Sequence, residues 1–581
     1  MGCTITLQDA IKGYTFDQDK IVTPEETVQR FKNKLKDVNL DILEETVRID
    51  NGRLDIPVYF SVCGRDALEI IGTKKQMGKG GTPSQSEASA VMELAERFSF
   101  FSFWKNPANF RLDTYKNVKD EALSFEAIAK SVHDESGELD KAREIFENLP
   151  LKWTSGCNLT KDREILIPFD WFFAINEFNG PSAGNCVEEA MSQGICELVE
   201  RHTSSIISRE KINVPAIDLD TVTDALTREL IGKYKNAGIQ LFASDFSLNT
   251  GIPSVGALAY DPTTFPQKSE IVWTAGTTPD PQKSLSRALT EVAQLAGDFN
   301  SGSNYVASGL PKFQDLSDAD FIMNPNRTVP ISSLPNLSND NIRVEVENCI
   351  GALNVMGLDF FAIDVMHPHL QIPAFYAIIP GAHFRERAVG TSVGMFCAKL
   401  ISESDNIPWS ISQLTQMDRL LPDKYYIKFF LGLAHISLQK PREAMLFLEE
   451  ALKLGPKRED VPSIYSYMGI CLRDMEQYRE ALSVLEKGAL IDSERTDIHN
   501  LMGFCYFKLK EHKKAIEAFH KVLELNPASA IDYANIASNY RDMGNRDMAI
   551  RFYKFALELD DSIDFARDNL RKLDGEQEGN A

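Results

Sequence analysis

Two kinds of hydrophobic pattern divide the chain into an N-terminal part of mixed strands and helices and a C-terminal part of helices alone. Short apolar runs and alternating apolar and polar positions predict strands at residues 56–74, 164–173, 239–243, 255–260, 271–275, 359–365 and 374–379. From residue 424 onward the pattern repeats in units that each read as two helices. We therefore predict an α+β region followed by an all-α region.

Three longer helices in the first region are predicted from their capping residues. Thr82, followed by a proline, predicts the start of a helix that extends to Phe103. Asn185 predicts the N-cap of a second helix, and Asp280, again followed by a proline, predicts that of a third. A glycine-rich turn at residues 78–81 leads into the first helix and could receive an anion there, with an ordinary turn as the alternative.

Each of these helices carries a stripe of polar side chains. Residues three, four and seven positions apart share one face of a helix. The three stripes are Ser89, Glu93, Glu96 and Arg97; Glu189, Gln193, Glu197 and Glu200, with Arg201 at the edge; and Arg287, Glu291 and Gln294. A polar stripe on a single helix is most often its solvated face, and that remains the alternative interpretation of each stripe.

The charges along the first two stripes favour a binding site over a solvated face. Neither residues 82–96 nor residues 185–200 contain a lysine or an arginine, so their glutamates would repel one another without an external cation. Carboxylates without histidine or cysteine favour Mg²⁺, and neighbouring arginines can bind phosphate oxygens. We therefore expect the three stripes to converge on a site for Mg²⁺ and a nucleotide.

The same residues, in this order and spacing, resemble the signatures of the YcaO family. The resemblance covers roughly residues 5–400 and implies an ATP-binding fold of β-sheets with packed helices. It implies that Mg²⁺ is held by Glu93, Glu96, Glu197 and Glu200. It also implies nucleotide contacts from Lys20, Thr27, Ser89, Arg97, Glu189, Gln193, Arg209, Arg287 and Glu291.

The resemblance implies an enzyme that uses Mg-ATP to phosphorylate a backbone amide of a peptide or protein substrate. A thiol, a hydroxyl or sulfide then completes an azoline or a thioamide. Enterobacterial-type relatives with similar C-terminal repeats are instead associated, as accessory factors, with β-methylthiolation of a ribosomal small-subunit protein. A third interpretation is a nucleotide-regulated adaptor, whose repeats recruit a modification enzyme without catalysing the chemistry.

The C-terminal region repeats one pattern four times. Gly432, Gly469, Gly503 and Ala537 each precede a second small residue by twelve positions, and successive units are 37, 34 and 34 residues apart. This spacing, with two helices per unit, is that of the tetratricopeptide repeat. Stacked repeats form a concave surface, so we expect this region to bind a partner protein or to self-associate, and we expect a homodimer.

These patterns predict an ATP-binding domain over 1–400, a linker over 401–423, a repeat domain over 424–573 and a disordered tail over 574–581. The net charge of −22 and the pI of about 5.0 argue against a nucleic-acid surface and against binding to anionic membranes. No apolar run of about 18 residues is present to span a bilayer. Nine scattered cysteines without a zinc-binding spacing, and no secretory signal, predict a reducing, cytoplasmic compartment.

Overall fold

The computed structural model describes residues 2–300, 310–384 and 391–578. The chain forms two compact units, residues 1–393 and residues 394–581. Within these described residues, the first unit combines three β-sheets with the helices that cover them, and the second contains helices joined by turns and no strand. None of the helices in the described ranges is both long enough and apolar enough to cross a membrane.

The first unit alternates strands and helices along most of its length. Its strands are β1 (Leu43–Arg48), β2 (Val58–Cys63), β3 (Lys75–Lys79), β4 (Arg111–Thr114), β5 (Pro150–Asn158), β6 (Arg163–Pro168), β7 (Pro181–Ala183), β8 (Ala216–Asp218), β9 (Gln240–Asp245), β10 (Ser254–Tyr260), β11 (Val272–Thr277), β12 (Thr328–Pro330), β13 (Phe361–Asp364) and β14 (Ala374–Ile378). Its helices are α1 (Pro24–Val38), α2 (Arg65–Ile71), α3 (Pro83–Lys105), α4 (Tyr115–Val118), α5 (Phe125–Ser131), α6 (Leu139–Asn148), α7 (Phe169–Asn176), α8 (Val187–Glu210), α9 (Ala225–Asn236), α10 (Pro281–Ala296), α11 (Asp320–Met323) and α12 (Ile342–Val355).

The three sheets are built mainly from antiparallel neighbours. One has the order β1-β2-β3, and a second has the order β11-β10-β9-β8-β12, in which only the β8–β12 pair is parallel. The third has the order β4-β5-β13-β14-β7, with β6 paired to the other side of β5. Each sheet carries one long helix on a face: α3 packs on β2 and β3, α8 on β7 and β14, and α10 on β10 and β11.

Two glycines allow these helices to lie unusually close to their sheets. A Cβ added to Gly78 of β3 would come within 2.1 Å of the Ala90 nitrogen in α3. A Cβ on Gly276 of β11 would come within 2.3 Å of the Ser284 carbonyl oxygen in α10. Because neither contact leaves room for a side chain, these glycines bring the polar stripes of α3 and α10 close to the strands beneath them.

The capping residues predict two of the three helix starts correctly. Thr82 caps α3 by accepting a hydrogen bond from the Gln85 amide, and Asp280 caps α10 by accepting one from the Gln282 amide. The prediction for Asn185 is wrong. Cys186 occupies the N-cap position of α8, and the Asn185 side chain instead donates a hydrogen bond to Glu189 Oε2.

Two predicted strands are partly helical. Residues 65–71, which we predicted as part of a strand, form α2, and this helix begins after Gly64 and ends at Gly72 in the left-handed conformation. The strand predicted to extend to Phe173 ends at Pro168, and α7 begins at the next residue. In both places a short apolar run is compatible with a strand and with a buried helix, and the run alone does not distinguish them.

The second unit consists of antiparallel helix pairs. Its helices are α13 (Val393–Ser402), which begins at the last residue of the first unit, α14 (Ile407–Leu420), α15 (Tyr425–Ser437), α16 (Pro441–Lys453), α17 (Val461–Asp474), α18 (Tyr478–Ile491), α19 (Thr496–Lys508), α20 (His512–Leu525), α21 (Ala530–Asp542), α22 (Arg546–Leu559) and α23 (Asp564–Glu578). The small residues of the repeat pattern lie where paired helices touch: Gly469, for example, faces Leu485 of the partner helix, and Ala481 is fully buried.

Two segments that flank the repeats contain helices that we did not predict. The predicted linker, residues 401–423, contains α14, because Leu414 and Met417 are buried and give that segment an apolar face. The predicted disordered tail begins inside α23, which extends to Glu578, while residues 579–581 lie outside the described residues.

Candidate functional site

A cavity of about 490 Å³ lies in the first unit, where the polar faces of α3, α8 and α10 meet. The structure therefore brings the three stripes together. The polar residues that line the cavity include Ser89, Glu93, Glu96 and Arg97 of α3; Glu189, Gln193, Glu197 and Arg201 of α8; Arg287, Thr290 and Gln294 of α10; Lys75 and Lys79 of β3; and Lys20 and Thr27 near the N-terminus.

Along α3, one arginine is shared between two glutamates. Arg97 Nε and Nη2 lie 3.1 and 3.0 Å from Glu93 Oε1, and Arg97 Nε lies 3.5 Å from Glu96 Oε1. The guanidinium also donates a hydrogen bond of 3.3 Å to the Phe178 carbonyl, from a loop that follows α7. Arg97 is thus held at the cavity wall by two carboxylates and one backbone carbonyl.

A second charge network connects α8 with α10. Arg201 lies 3.9 Å from Glu197 and 3.7 Å from Glu200. Arg287 lies 3.6 Å from Glu200 Oε2 and donates a hydrogen bond of 3.1 Å to Gln193 Oε1. These ion-pair separations are longer than a charge-assisted hydrogen bond, so the groups attract one another without being fully bonded.

Two predicted site residues lie behind the cavity wall. Glu200 is 2% exposed and faces Arg201 and Arg287. Glu291 is 5% exposed and forms an ion pair with Lys79 of β3. Both carboxylates therefore contact the cations that line the cavity.

Burial and neighbouring charges shift the pKa values of the site glutamates in different directions. Burial, together with the neighbouring Glu93, raises the pKa of Glu96 well above its usual value, although Arg97 acts in the opposite direction. Burial also raises the pKa of Glu200. Burial favours the neutral form of Glu291 too, but Lys79 and two arginines outweigh it and hold its pKa below the usual value. An added cation would therefore favour the ionised forms of Glu96 and Glu200.

The buried polar atoms around the cavity fit a magnesium-bound phosphate chain. Glu200 Oε2, Arg201 Nε and Arg287 Nε are buried and have no hydrogen-bond partner among the described residues. In the same ranges, no three His, Cys, Asp or Glu side chains lie close enough to hold a metal ion on their own. Mg²⁺ is commonly held by one or two carboxylates plus substrate phosphates and water, so these residues fit Mg²⁺ that arrives with a nucleotide.

Glu189 anchors the N-terminal segment to this cavity. Its Oε1 accepts a hydrogen bond of 2.7 Å from the Ile21 amide, and its Oε2 accepts bonds of 3.0 and 2.9 Å from the amide and the side chain of Asn185. Lys20 Nζ lies 3.8 Å from Glu189 Oε2. Glu189, which is 2% exposed, therefore positions Lys20 at the cavity. Thr27 also lines the cavity, and its hydroxyl donates to the Thr23 carbonyl.

The glycine-rich turn before α3 already receives an anion from this chain. The Gly81 amide donates a hydrogen bond of 2.7 Å to Asp17 Oδ2, and Asp17 is 1% exposed. Burial raises the pKa of Asp17 to about 6, although the backbone amides of Gly81 and Thr82 act in the opposite direction. The turn therefore binds the N-terminal segment at the start of α3.

Comparison with known proteins identifies the family. The family model described as YcaO cyclodehydratase, ATP- and Mg²⁺-binding, matches residues 77–383, which is more than half of the chain and includes all three helices of the cavity. The chain belongs to the YcaO family. Tetratricopeptide repeat models match residues 425–458, 496–529 and 533–563, so the prediction of a YcaO domain followed by these repeats is confirmed.

Relatives of this YcaO protein include an uncharacterized protein and a named accessory factor. An uncharacterized protein of Methanothermobacter thermautotrophicus is 26% identical over 381 residues, covering 62% of this chain and 94% of that protein. The ribosomal protein S12 methylthiotransferase accessory factor YcaO of Escherichia coli is 28% identical over 304 residues, which is 49% of this chain and 50% of the factor. The match thus spans about half the length of that factor.

A solved structure shares the fold of the first unit. It is a heterocyclase in complex with substrate and cofactor, with a TM-score of 0.53 and 23% sequence identity. The match covers 65% of this chain and 54% of the heterocyclase. The α+β fold predicted for the first region, with sheets and packed helices, is therefore confirmed.

One predicted residue lies away from the YcaO cavity. Arg209 is at the C-terminal end of α8, about 12 Å along the helix from Arg201, and its guanidinium lies 3.4 Å from Glu210. It also contributes to the electrostatics of three histidines, His133, His202 and His383. The structure does not bring Arg209 together with the other predicted residues, because the helix continues well past the cavity.

The structure adds residues that the sequence patterns did not select. Lys75 and Lys79 enter the cavity wall from β3, and Thr290 lines it from α10. Lys79 falls within residues 78–81, which we predicted as a glycine-rich turn, but the structure places it at the end of strand β3. The alternation Lys75-Gln76-Met77-Gly78-Lys79 places both lysines on one face of a strand, and that pattern was the available signal.

Proposed function

We propose that this YcaO protein uses Mg-ATP to phosphorylate a backbone amide of a peptide or protein, and that an azoline or thioamide results. The observation that carries the proposal is the set of buried carboxylate and guanidinium atoms without hydrogen-bond partners in the described ranges, all beside one cavity. Such a set suits a cation and an anion bound together, which is the form in which cells hold ATP.

The cavity residues divide into a metal-holding and a phosphate-holding group. We propose that Glu93, Glu96, Glu197 and Glu200 hold magnesium, each ion through one or two of these carboxylates together with the phosphates. We propose that the nucleotide is held by Lys20, Thr27, Ser89, Arg97, Gln193 and Arg287, with Glu189 positioning Lys20 and Glu291 positioning Lys79. Because Arg209 lies outside the cavity, we leave it out of this set.

The protein's part in such a reaction is positioning and charge neutralisation. When bound, Mg-ATP would supply the phosphoryl group that the amide oxygen takes, so that this oxygen can later leave as phosphate. Glu93 holds Arg97 on one side of the cavity. On the other side, Arg287 donates a hydrogen bond to Gln193 and is attracted by Glu200. Both guanidinium groups are therefore in place before negative charge develops. The cavity walls would hold the amide and the phosphates in line, which lowers the entropic barrier.

Isothermal titration calorimetry with Mg-ATP tests the nucleotide site. We expect Glu93→Ala and Glu197→Ala to abolish measurable binding, since each removes a carboxylate from the cavity. Glu87→Ala is the matched control, because Glu87 lies on α3 outside the cavity and contacts Lys32 and Thr46. Unchanged affinity in both site variants would refute the proposal.

A second candidate is supported by the similarity to the Escherichia coli accessory factor and by the repeat unit. In that case the protein is a nucleotide-regulated adaptor for a methylthiolation enzyme acting on a ribosomal protein. The two candidates predict different phosphate release. Sustained turnover with a client peptide supports the amide-activating enzyme, whereas Mg-ATP binding without turnover in the presence of both client and partner supports the adaptor.

A further inference from the structure

The polar face of α3 continues past the cavity into a group of aromatic rings. Glu93, Arg97, Phe101 and Trp104 follow one another at intervals of four, four and three residues, which places them on a single face of the helix. Glu93 and Arg97 line the cavity. Trp104 lies about 10 Å farther along the helix than Arg97. The cavity and the aromatic rings therefore share one helix face.

Four rings form this aromatic platform, which we define as Phe101, Trp104, Phe173 and Phe178. Their centroids are 5.8 Å apart for Phe101–Trp104, 4.3 Å for Trp104–Phe173, 6.0 Å for Phe173–Phe178 and 5.8 Å for Phe178–Phe101. The contacts thus close into a ring of four. Phe178 is 46% exposed, and the other three side chains are partly exposed.

The platform is tied to the cavity at two points. The Arg97 guanidinium lies 5.7 Å from the centroid of the Phe178 ring and donates a hydrogen bond to the Phe178 carbonyl. Two residues later, the Gly180 amide donates a hydrogen bond of 3.2 Å to Glu197 Oε2 on the opposite wall of the cavity. A loop that carries an exposed aromatic ring is therefore fixed to both a phosphate-binding candidate and a metal-binding candidate.

The backbone of this loop is strained at Glu177, the residue immediately before Phe178. Glu177 has φ 48° and ψ −113°, a combination outside the region that residues with a side chain normally occupy. Strained backbone of this kind persists where surrounding contacts enforce it, often at binding sites. Here the Arg97 and Glu197 contacts supply that enforcement, and the result is a large apolar ring held partly in solvent.

We propose that the aromatic platform binds an apolar side chain of the peptide whose backbone amide is activated in the adjoining cavity. This inference rests on the proposed amide-activating function and names a feature of its substrate. One residue of extended peptide spans about 3.3–3.6 Å. An amide at the mouth of the cavity therefore places a side chain two or three residues away over the platform.

The size of the platform favours a peptide side chain over a second copy of the chain. An aromatic side chain carries about 150–250 Å² of surface, so the 46% exposure of Phe178 corresponds to roughly 70–115 Å². The other three residues of the platform are each exposed to a smaller fraction than Phe178. A stable protein interface needs about 800 Å² from each partner, whereas one bound apolar side chain needs only an area of the size found here.

Photo-crosslinking of the full chain tests the proposal without requiring turnover. The probe is the capped pentapeptide acetyl-Gly-Gly-Xaa-Gly-Gly-amide, with benzoylphenylalanine as Xaa, irradiated with the protein and Mg²⁺ plus a non-hydrolysable ATP analogue. We expect adducts within residues 101–104 or 173–178 by mass spectrometry. The same peptide with phenylalanine as Xaa should compete, and the peptide with aspartate should not. Adducts elsewhere only, no adduct, or equal competition by both peptides would overturn the proposal.

Two variants separate this inference from the proposed function and from self-association. Trp104→Ala removes a platform ring that contacts Phe101 and Phe173 but not Arg97. It should weaken competition by the phenylalanine peptide about tenfold, the loss typical of a buried aromatic contact, while Mg-ATP affinity by calorimetry stays unchanged. Leu112→Ala, another exposed apolar residue at 71% exposure, is the control and should change neither. If the unaltered chain does not bind Mg-ATP, the proposed function itself is contradicted. A fall in native molecular mass with Phe178→Asp would overturn the inference and assign the platform to an interface between copies.

Discussion

The ion pair between Lys79 and Glu291 offers a direct test of how charge holds the cavity together. The Lys79 side chain is 18% exposed and that of Glu291 is 7% exposed, so both groups are largely desolvated. Lys79→Met keeps most of the aliphatic stem and leaves the carboxylate without its closest partner. Breaking a buried pair in this way costs about 3–5 kcal/mol. Because Arg201 and Arg287 still attract Glu291, we expect the lower end, about 3 kcal/mol.

Urea unfolding followed by tryptophan fluorescence measures this loss in the relevant unit. Four tryptophans, Trp104, Trp153, Trp171 and Trp273, lie in the first unit and only Trp409 in the second. The signal therefore reports mainly on the unit that contains the ion pair.

Two further variants distinguish the charge effect from a general packing defect. Lys79→Met combined with Glu291→Leu removes both charges and should restore stability to within about 1 kcal/mol of the original, since a buried ion pair can often be replaced by apolar groups. Lys32→Met breaks a half-exposed pair with Glu87 and should cost less than about 1 kcal/mol. The reasoning is refuted if Lys79→Met costs no more than Lys32→Met, or if the double variant is as unstable as the single one.

Three other predictions follow from individual contacts. The folded-state pKa of Asp17, about 6, lies above the usual value of 3.8, so ionisation of Asp17 destabilises the fold progressively as pH rises from about 4 to 6. The stability of Asp17→Asn relative to the original chain should therefore rise by up to about 3 kcal/mol between pH 4 and pH 7 in urea titrations. A stability difference that does not change with pH would contradict this. Gly276→Ala should lower the free energy of unfolding by about 1–3 kcal/mol because its Cβ meets α10, whereas Gly232→Ala, with nothing within 4 Å, should not lower it. Asn500→Ala removes a hydrogen bond of 2.6 Å to the buried Asp532 and should destabilise the repeat unit by about 1–2 kcal/mol in thermal unfolding, and an unchanged transition would show that the bond contributes nothing.

Local spacing along the sequence determines which side chains share a helix face. Glu93 and Arg97 are four residues apart, so any helix through them must place them side by side, and they do form an ion pair. Thr82 and Asp280 predict helix starts for the same reason, because a cap involves only residues two or three positions away. The repeat pattern of the second unit is also local, since each helix pair is built from adjacent segments.

Only the tertiary structure decides which of these faces meet and what else joins them. Lys79 and Glu291 are 212 residues apart, and no periodicity relates them. The Ile21 amide reaches Glu189 only because the N-terminal segment lies across α8. Arg209 shares a helix with the site glutamates but lies outside the cavity, since a 24-residue helix is longer than the cavity it borders. Spacing along the chain controls neighbours within one element, whereas the packing of sheets and helices controls which elements become neighbours.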